Sequence, residues 1–179
     1  MRSKILLNPG PTNTSFLTKL KQFLGSDVCH REEKFQKKLD AIKKSVLKTG
    51  RISGNVSILA GSGTTAMESM ISSLCPDNTL IVNAGKYGKR AEDIFKTYNI
   101  KHKVINSKTI EDIDLDLNVK WVYFVENETT TGEHYDLETM TSRYPNAKFF
   151  IDATSSFGAS YYKKFDNKIA ALSFCSNKC

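Results

Sequence analysis

The chain has 179 residues, 40% hydrophobic and 25% charged, with 10 glycines and only 4 prolines, which excludes disordered, collagen-like and low-complexity classes and fits one globular domain with a real core. Basic residues exceed acidic ones by 26 − 19 = 7, yet the densest run (Lys34, Lys37, Lys38, Lys43, Lys44, Lys48) interleaves with Phe35, Leu39, Ile42 and Val46 at helical spacing, the pattern of a wet helix side over a buried face rather than a nucleic-acid footprint. No apolar run approaches the roughly 18 residues of a membrane span, and the N-terminus breaks at Asn8-Pro9 before a signal-peptide core forms, so the expectation is a cytoplasmic protein with neither a membrane nor a nucleic-acid partner.

Taken in order, Ser15 to Leu24 predicts a short amphipathic helix behind a cap at Thr14 or Ser15, and Arg31 to Leu47 a second one. Val56 to Ala60 has the apolar character of a buried strand, and Gly61-Ser62-Gly63-Thr64 turns it into a helix over Thr65 to Leu74. Strand, glycine turn, helix is the opening unit of an α/β fold. The alternation continues with a strand at Thr79 to Asn83, a helix at Tyr87 to Tyr98 and a short strand at Lys103 to Ile105. Trp121 to Val125 predicts a strong strand, Leu137 to Arg143 a short helix, Lys148 to Ile151 a strand, and Ile169 to Phe174 another. With no internal repeat and no linker, the expectation is one continuous α/β domain: a mostly parallel sheet flanked by helices. Cys29, Cys75, Cys175 and Cys179 show no CxxC spacing and join no histidine cluster, so free thiols and no metal site are expected.

Open α/β sheets bind ligands beyond the carboxyl ends of their strands, and this chain places polar residues there repeatedly. Ser62-Gly63-Thr64 precedes a helix whose first N–H groups and positive dipole end suit a phosphate; such a turn is also common for structural reasons alone, and it lacks the lysine of a P-loop. Asp152 ends the apolar run Phe149-Phe150-Ile151, where a carboxylate needs a cation or hydrogen bonds, or else serves as a cap or turn residue. Lys178 emerges after the last strand, where a cleft lysine suits attack on an aldehyde and a surface lysine would do nothing. Phosphate cradle, carboxylate and amine at three strand ends are together what pyridoxal phosphate requires.

Seven segments occur here in the order seen in class V aminotransferases. They are Leu6-Leu7-Asn8-Pro9-Gly10-Pro11-Thr12, Asp27-Val28-Cys29-His30-Arg31-Glu32, Gly61-Ser62-Gly63-Thr64, Ala84-Gly85-Lys86-Tyr87-Gly88-Lys89-Arg90, Glu128-Thr129-Thr130-Thr131-Gly132, Ile151-Asp152-Ala153-Thr154-Ser155-Ser156-Phe157-Gly158 and Ser176-Asn177-Lys178. The chain resembles this family over essentially all of its residues, and most resembles the 2-aminoethylphosphonate–pyruvate transaminase branch. Alanine–glyoxylate and serine–pyruvate aminotransferases share most of the motifs. A cysteine desulfurase fits less well, because the histidine usual there is replaced by Tyr87.

The resemblance implies a pyridoxal 5'-phosphate enzyme in which Lys178 bonds the cofactor and later shuttles a proton, while Asp152 pairs with the pyridinium nitrogen. It implies that Ser62, Gly63 and Thr64 hold the phosphate with Asn177 near it, that Tyr87 stacks on the ring and that Thr129 bonds near the phenolic oxygen. Gly10 brings backbone close to the substrate. The implied reaction moves the amine of 2-aminoethylphosphonate to pyruvate, giving phosphonoacetaldehyde and alanine, in a homodimer. It also implies that residues 1–179 are an N-terminal segment plus an incomplete large domain. The family's C-terminal small domain and its substrate-gripping arginine would lie beyond Cys179, so a non-catalytic cofactor-binding fragment is the competing expectation.

Overall fold

The computed structural model describes residues 5–6, 8, 10–106 and 118–178. Pro9 of the first motif and Cys179 lie outside the described residues. In chain order the elements are α1 (Phe16–Phe23), α2 (Glu33–Gly50), α3 (Gly63–Leu74), β1 (Thr79–Asn83), α4 (Lys86–Thr97), β2 (His102–Asn106) and β3 (Trp121–Val125). A small hairpin, β4 (Asn127–Glu128) and β5 (Glu133–His134), leads to α5 (Leu137–Arg143), β6 (Lys148–Asp152), a 3₁₀ turn over Lys163–Lys168 and β7 (Ile169–Ser173).

Five strands form one sheet in the order β2-β1-β3-β6-β7, every neighbouring pair parallel. Parallel strands need crossovers, and the helices supplying them cover both faces, which is why β1, β3 and β6 read as continuous apolar runs. Val122, Phe124, Phe149 and Ile151 face one layer with Tyr135, Leu137, Met140 and Tyr144. Ile81, Tyr123, Val125 and Phe150 face the other, against Met67, Met70 and Ile71 of α3 and Ala91 and Phe95 of α4. The chain steps from β1 outward to β2 and then returns to the other side of β1 as β3. That reversal opens a crevice at the carboxyl ends of β1 and β3, the place where such sheets take ligands.

Two expectations are corrected. Val56 to Ala60 forms no strand: among the described residues nothing pairs with it, and Ile58 and Leu59 are 49% and 47% exposed. Apolar character alone does not make a strand; a neighbour's open hydrogen-bonding edge does. The glycine turn at Gly61 therefore follows an unpaired segment instead of a sheet strand. The apolar face of α2 is only half-covered, with Gly50 its one buried residue and Ile42 exposed. α1 forms behind its Ser15 cap, whose hydroxyl accepts from Thr18 N–H, but Phe16, Leu17, Phe23 and Leu24 all stand exposed. No helix among the described residues is long and apolar enough to cross a membrane.

Candidate functional site

The start of α3 is built for an anion. Ser62 caps it, accepting from Thr65 N–H at 3.4 Å while Thr65 Oγ1 accepts from Ser62 N–H at 3.3 Å. This reciprocal box leaves the N–H groups of Gly63 and Thr64 at the positive end of the helix dipole, and the first turn carries no acidic residue. Gly63 is closely packed: a Cβ there would lie 3.0 Å from Thr154 Cγ2 and 3.3 Å from Cys175 Sγ. The loops that follow β6 and β7 thus close directly onto the first turn of α3.

Asp152, the last residue of β6, is 3% exposed. Both hydrogen bonds it accepts fall on Oδ1, from Thr154 N–H at 3.0 Å and Thr154 Oγ1 at 2.5 Å. No cation pairs with it among the described residues. Burial raises its pKa above the ordinary carboxylate value, the Thr154 bonds pull it back, and the nearby charge of Glu128 raises it again. The site therefore holds a largely desolvated carboxylate, joined through Thr154 to the first turn of α3.

At the switch point, Glu128 is fully buried and clamps the start of α4. Its Oε2 accepts from Tyr87 N–H at 2.9 Å and Gly88 N–H at 3.1 Å, while Oε1 accepts from Thr130 N–H at 3.3 Å. Thr130 Oγ1 in turn accepts from Lys86 N–H at 3.1 Å. A Cβ on Gly85 would sit 2.6 Å from Glu128 Cγ, so only glycine lets the carboxylate in. The clamp sets half-buried Tyr87, whose ring lies 5.8 Å from Arg90 Cζ; Arg90 Nη1 donates to Thr64 Oγ1 at 3.1 Å, tying α4 to α3. Thr129 is half-buried in the β4–β5 turn, next to the clamp.

Lys178 follows β7 and is half-buried. Gly10 packs directly on it: the backbone there has φ +142°, and a Cβ would overlap Lys178 Cδ and stand 3.1 Å from Nζ. Thr12 N–H donates to the carbonyl of Asn177 at 3.2 Å, pinning the N-terminal loop to the lysine loop. Asn177 is exposed, and its main-chain carbonyl is the acceptor of this bond.

The sequence-derived residues other than Thr129 fall into three groups, of which the first two are joined through Thr64. Ser62, Gly63 and Thr64 meet Asp152 through Thr154; Tyr87 meets Thr64 through Arg90; Gly10 and Asn177 frame Lys178. Glu128, Arg90 and Thr154 were parts of motifs with no role attached. One signal for Arg90 was available, since it stands three residues after Tyr87 and so shares its helix face. Nothing local marks Glu128, whose partners Tyr87 and Gly88 are 41 and 40 residues away. A further buried carboxylate, Glu126, lies on the opposite face, where Tyr162 Oη donates to it at 2.6 Å along with Ser156 Oγ; burial and the Glu126 charge raise the Tyr162 pKa.

No family model matches the chain. It is similar to a bifunctional phosphonoacetaldehyde hydrolase/aminoethylphosphonate transaminase of Clostridioides difficile, 30% identical over 98% of this chain and 30% of that protein. It is also similar to the 2-aminoethylphosphonate–pyruvate transaminase of Bacteroides fragilis, 29% identical over the whole chain and 54% of the relative. The chain spans about half the length of the single-function transaminases it matches. Among solved structures, an aspartate aminotransferase from Thermus thermophilus superposes with a TM-score of 0.81 at 23% identity, covering 98% of this chain and 53% of its own. An alanine–glyoxylate aminotransferase from Nostoc gives 0.79 at 23% identity, over 99% and 50%. A phosphoserine aminotransferase from Trichomonas vaginalis with pyridoxal phosphate bound gives 0.72 at 16%, over 96% and 53%. Over the matched residues the fold is that of these solved aminotransferases, of whose length the chain spans about half.

Proposed function

We propose that the chain carries the cofactor platform of a pyridoxal phosphate-dependent aminotransferase that takes the amine of 2-aminoethylphosphonate and passes it to pyruvate. The observation that carries the cofactor reading is Asp152: a carboxylate 3% exposed, with no cation paired to it among the described residues, hydrogen-bonded to the residue that packs near the first turn of α3. A cationic ring nitrogen satisfies such a group, and a phosphate satisfies the helix end. Gly63, with no side chain, lets the loops carrying Thr154 and Cys175 approach that helix end closely.

When bound, the cofactor supplies an aldehyde and an electron sink. The chain's own residues do the rest. Ser62, Gly63 and Thr64 hold the phosphate through main-chain N–H groups and hydroxyls. Asp152 would pair with the ring nitrogen and keep it protonated, and Tyr87 would offer its face to the ring. Thr129 would bond near the phenolic oxygen, and Asn177 would stand near the phosphate. Lys178 Nζ would hold the cofactor through its aldehyde and would be the base that carries a proton to and from the substrate's amine-bearing carbon, with Gly10 packed against the lysine side chain. The phosphonate preference rests on the names of the relatives of similar sequence. The structural similarity to an alanine–glyoxylate aminotransferase supports a second reading, with a different amine donor on the same platform. The exposed apolar face of α1 supports a homodimer in which a second copy covers it.

The first test is reduction with borohydride after addition of pyridoxal phosphate, followed by peptide mapping. The expected result is a single reduced adduct on Lys178 that is lost in Lys178→Ala. No adduct on Lys178 overturns the cofactor reading. A screen of 2-aminoethylphosphonate, alanine and serine, read as conversion of the cofactor to its amine form, separates the two donor readings.

A further inference from the structure

We infer that Arg90 is a phosphate-binding residue: its guanidinium supplies the formal positive charge at the mouth of α3. The inference rests on the cofactor reading above and adds to it a residue that the glycine turn by itself does not contain.

The basic residues of α4 behave differently from one another. Lys89 is bonded to Glu92 at 3.1 Å and Asp93 at 3.2 Å, and Lys96 pairs with Glu92, all on one exposed flank of the helix. Arg90 joins none of these, and no carboxylate pairs with it among the described residues. It reaches instead to α3, donating from Nη1 to Thr64 Oγ1 at 3.1 Å. Thr64 is the second residue of that helix, where unpaired N–H groups already present partial positive charge and no acidic side chain offsets it. A cation placed there is repelled by the helix dipole. A dianion at the mouth of α3 reverses that balance, because it attracts the exposed Arg90 guanidinium together with the main-chain N–H groups of the helix end.

Hydrogen-bond directions agree. Thr64 Oγ1 accepts from Arg90, which leaves its own hydrogen to donate outward, and Arg90 has spent one of five donors. Because the guanidinium also lies 5.8 Å from the Tyr87 ring centroid, the charge that holds the phosphate is on the same helix as the aromatic face offered to the cofactor ring.

The test compares pyridoxal phosphate with pyridoxal, which has the aldehyde and ring but no phosphate, in the unsubstituted chain, Arg90→Met and Arg90→Lys. Binding is read from the cofactor absorbance and from borohydride-trapped adduct on Lys178. Arg90→Met keeps a long apolar stem against Tyr87, so the expected result is about tenfold or greater weakening for pyridoxal phosphate, about 1.4 kcal/mol, with pyridoxal affinity changed less than about twofold. Arg90→Lys recovers part of the loss because it keeps the charge and loses the fork. Equal weakening of both aldehydes overturns the inference and makes Arg90 a residue that only positions Tyr87. Unchanged pyridoxal phosphate affinity in Arg90→Met overturns it outright. If the unsubstituted chain forms no Lys178 adduct, the cofactor reading itself fails and the inference falls with it.

Discussion

Removing the Glu128 carboxylate tests how the ring-bearing end of α4 is held. Glu128 accepts N–H groups from Tyr87 and Gly88 at 2.9 and 3.1 Å and from Thr130 at 3.3 Å, with the Thr130 hydroxyl at 2.5 Å. Thr130 is exposed and recovers water when the carboxylate goes, whereas Gly88 is buried and Tyr87 half-buried. Leaving those two donors without an acceptor costs roughly 1–3 kcal/mol for the buried one and about 1 kcal/mol for the other. The lost charge–dipole attraction at the start of α4 adds about 0.3–1 kcal/mol. Relief from burying an ionised group offsets part of this, so Glu128→Ala is expected to cost about 2–4 kcal/mol. Glu128→Gln keeps one oxygen for the Tyr87 and Gly88 N–H groups and forfeits chiefly the long Thr130 bond, about 1 kcal/mol. At about 2–4 °C per kcal/mol for a chain of this size, thermal unfolding followed by circular dichroism should show a drop of about 4–16 °C for alanine and about 2–4 °C for glutamine. Equal losses for both variants, or an alanine variant within about 0.5 kcal/mol of the unsubstituted chain, refute the acceptor reasoning.

Asp152→Asn should stabilise the cofactor-free chain at neutral pH. Burial lifts the Asp152 pKa in the folded state, so the native state holds the proton more tightly than the unfolded one and stability falls as pH rises from the unfolded value through the folded one. The advantage of asparagine is complete above the raised value and disappears below the ordinary carboxylate value; urea unfolding at a series of pH values measures it, and a pH-independent difference contradicts it. Gly10→Ala forces a side chain against Lys178 at a backbone φ of +142°, and should cut the yield or rate of borohydride-trapped adduct about tenfold or more with little change in melting temperature. Tyr162→Phe takes a donor from the buried Glu126 carboxylate, and should cost about 1.5–3 kcal/mol in chemical unfolding; a change under about 0.5 kcal/mol would show that Ser156 alone satisfies it.

The parts of this protein written in short-range pattern were legible from its residues. The apolar runs of β1, β3 and β6 and the periodicity of α3, α4 and α5 come from side chains within a few positions of one another, and they place Asp152 and Lys178 at strand ends before any fold is known. The glycine turn at Gly61 to Thr64 was legible for the same reason, because capping is a contact over three residues. Partners distant along the chain were another matter. Val56 to Ala60 has a strand's composition and stands unpaired, and the apolar face of α1 lies open, because burial is a property of what packs alongside. The clamp of Glu128 on Tyr87 and Gly88, the bond of Arg90 to Thr64 and the packing of Gly10 on Lys178 join residues 41, 40, 26 and 168 positions apart. Local propensity carries no information about such pairs; the parallel sheet does, because its strand order brings the carboxyl ends of β1, β3, β6 and β7 to a common edge, where such sheets take ligands.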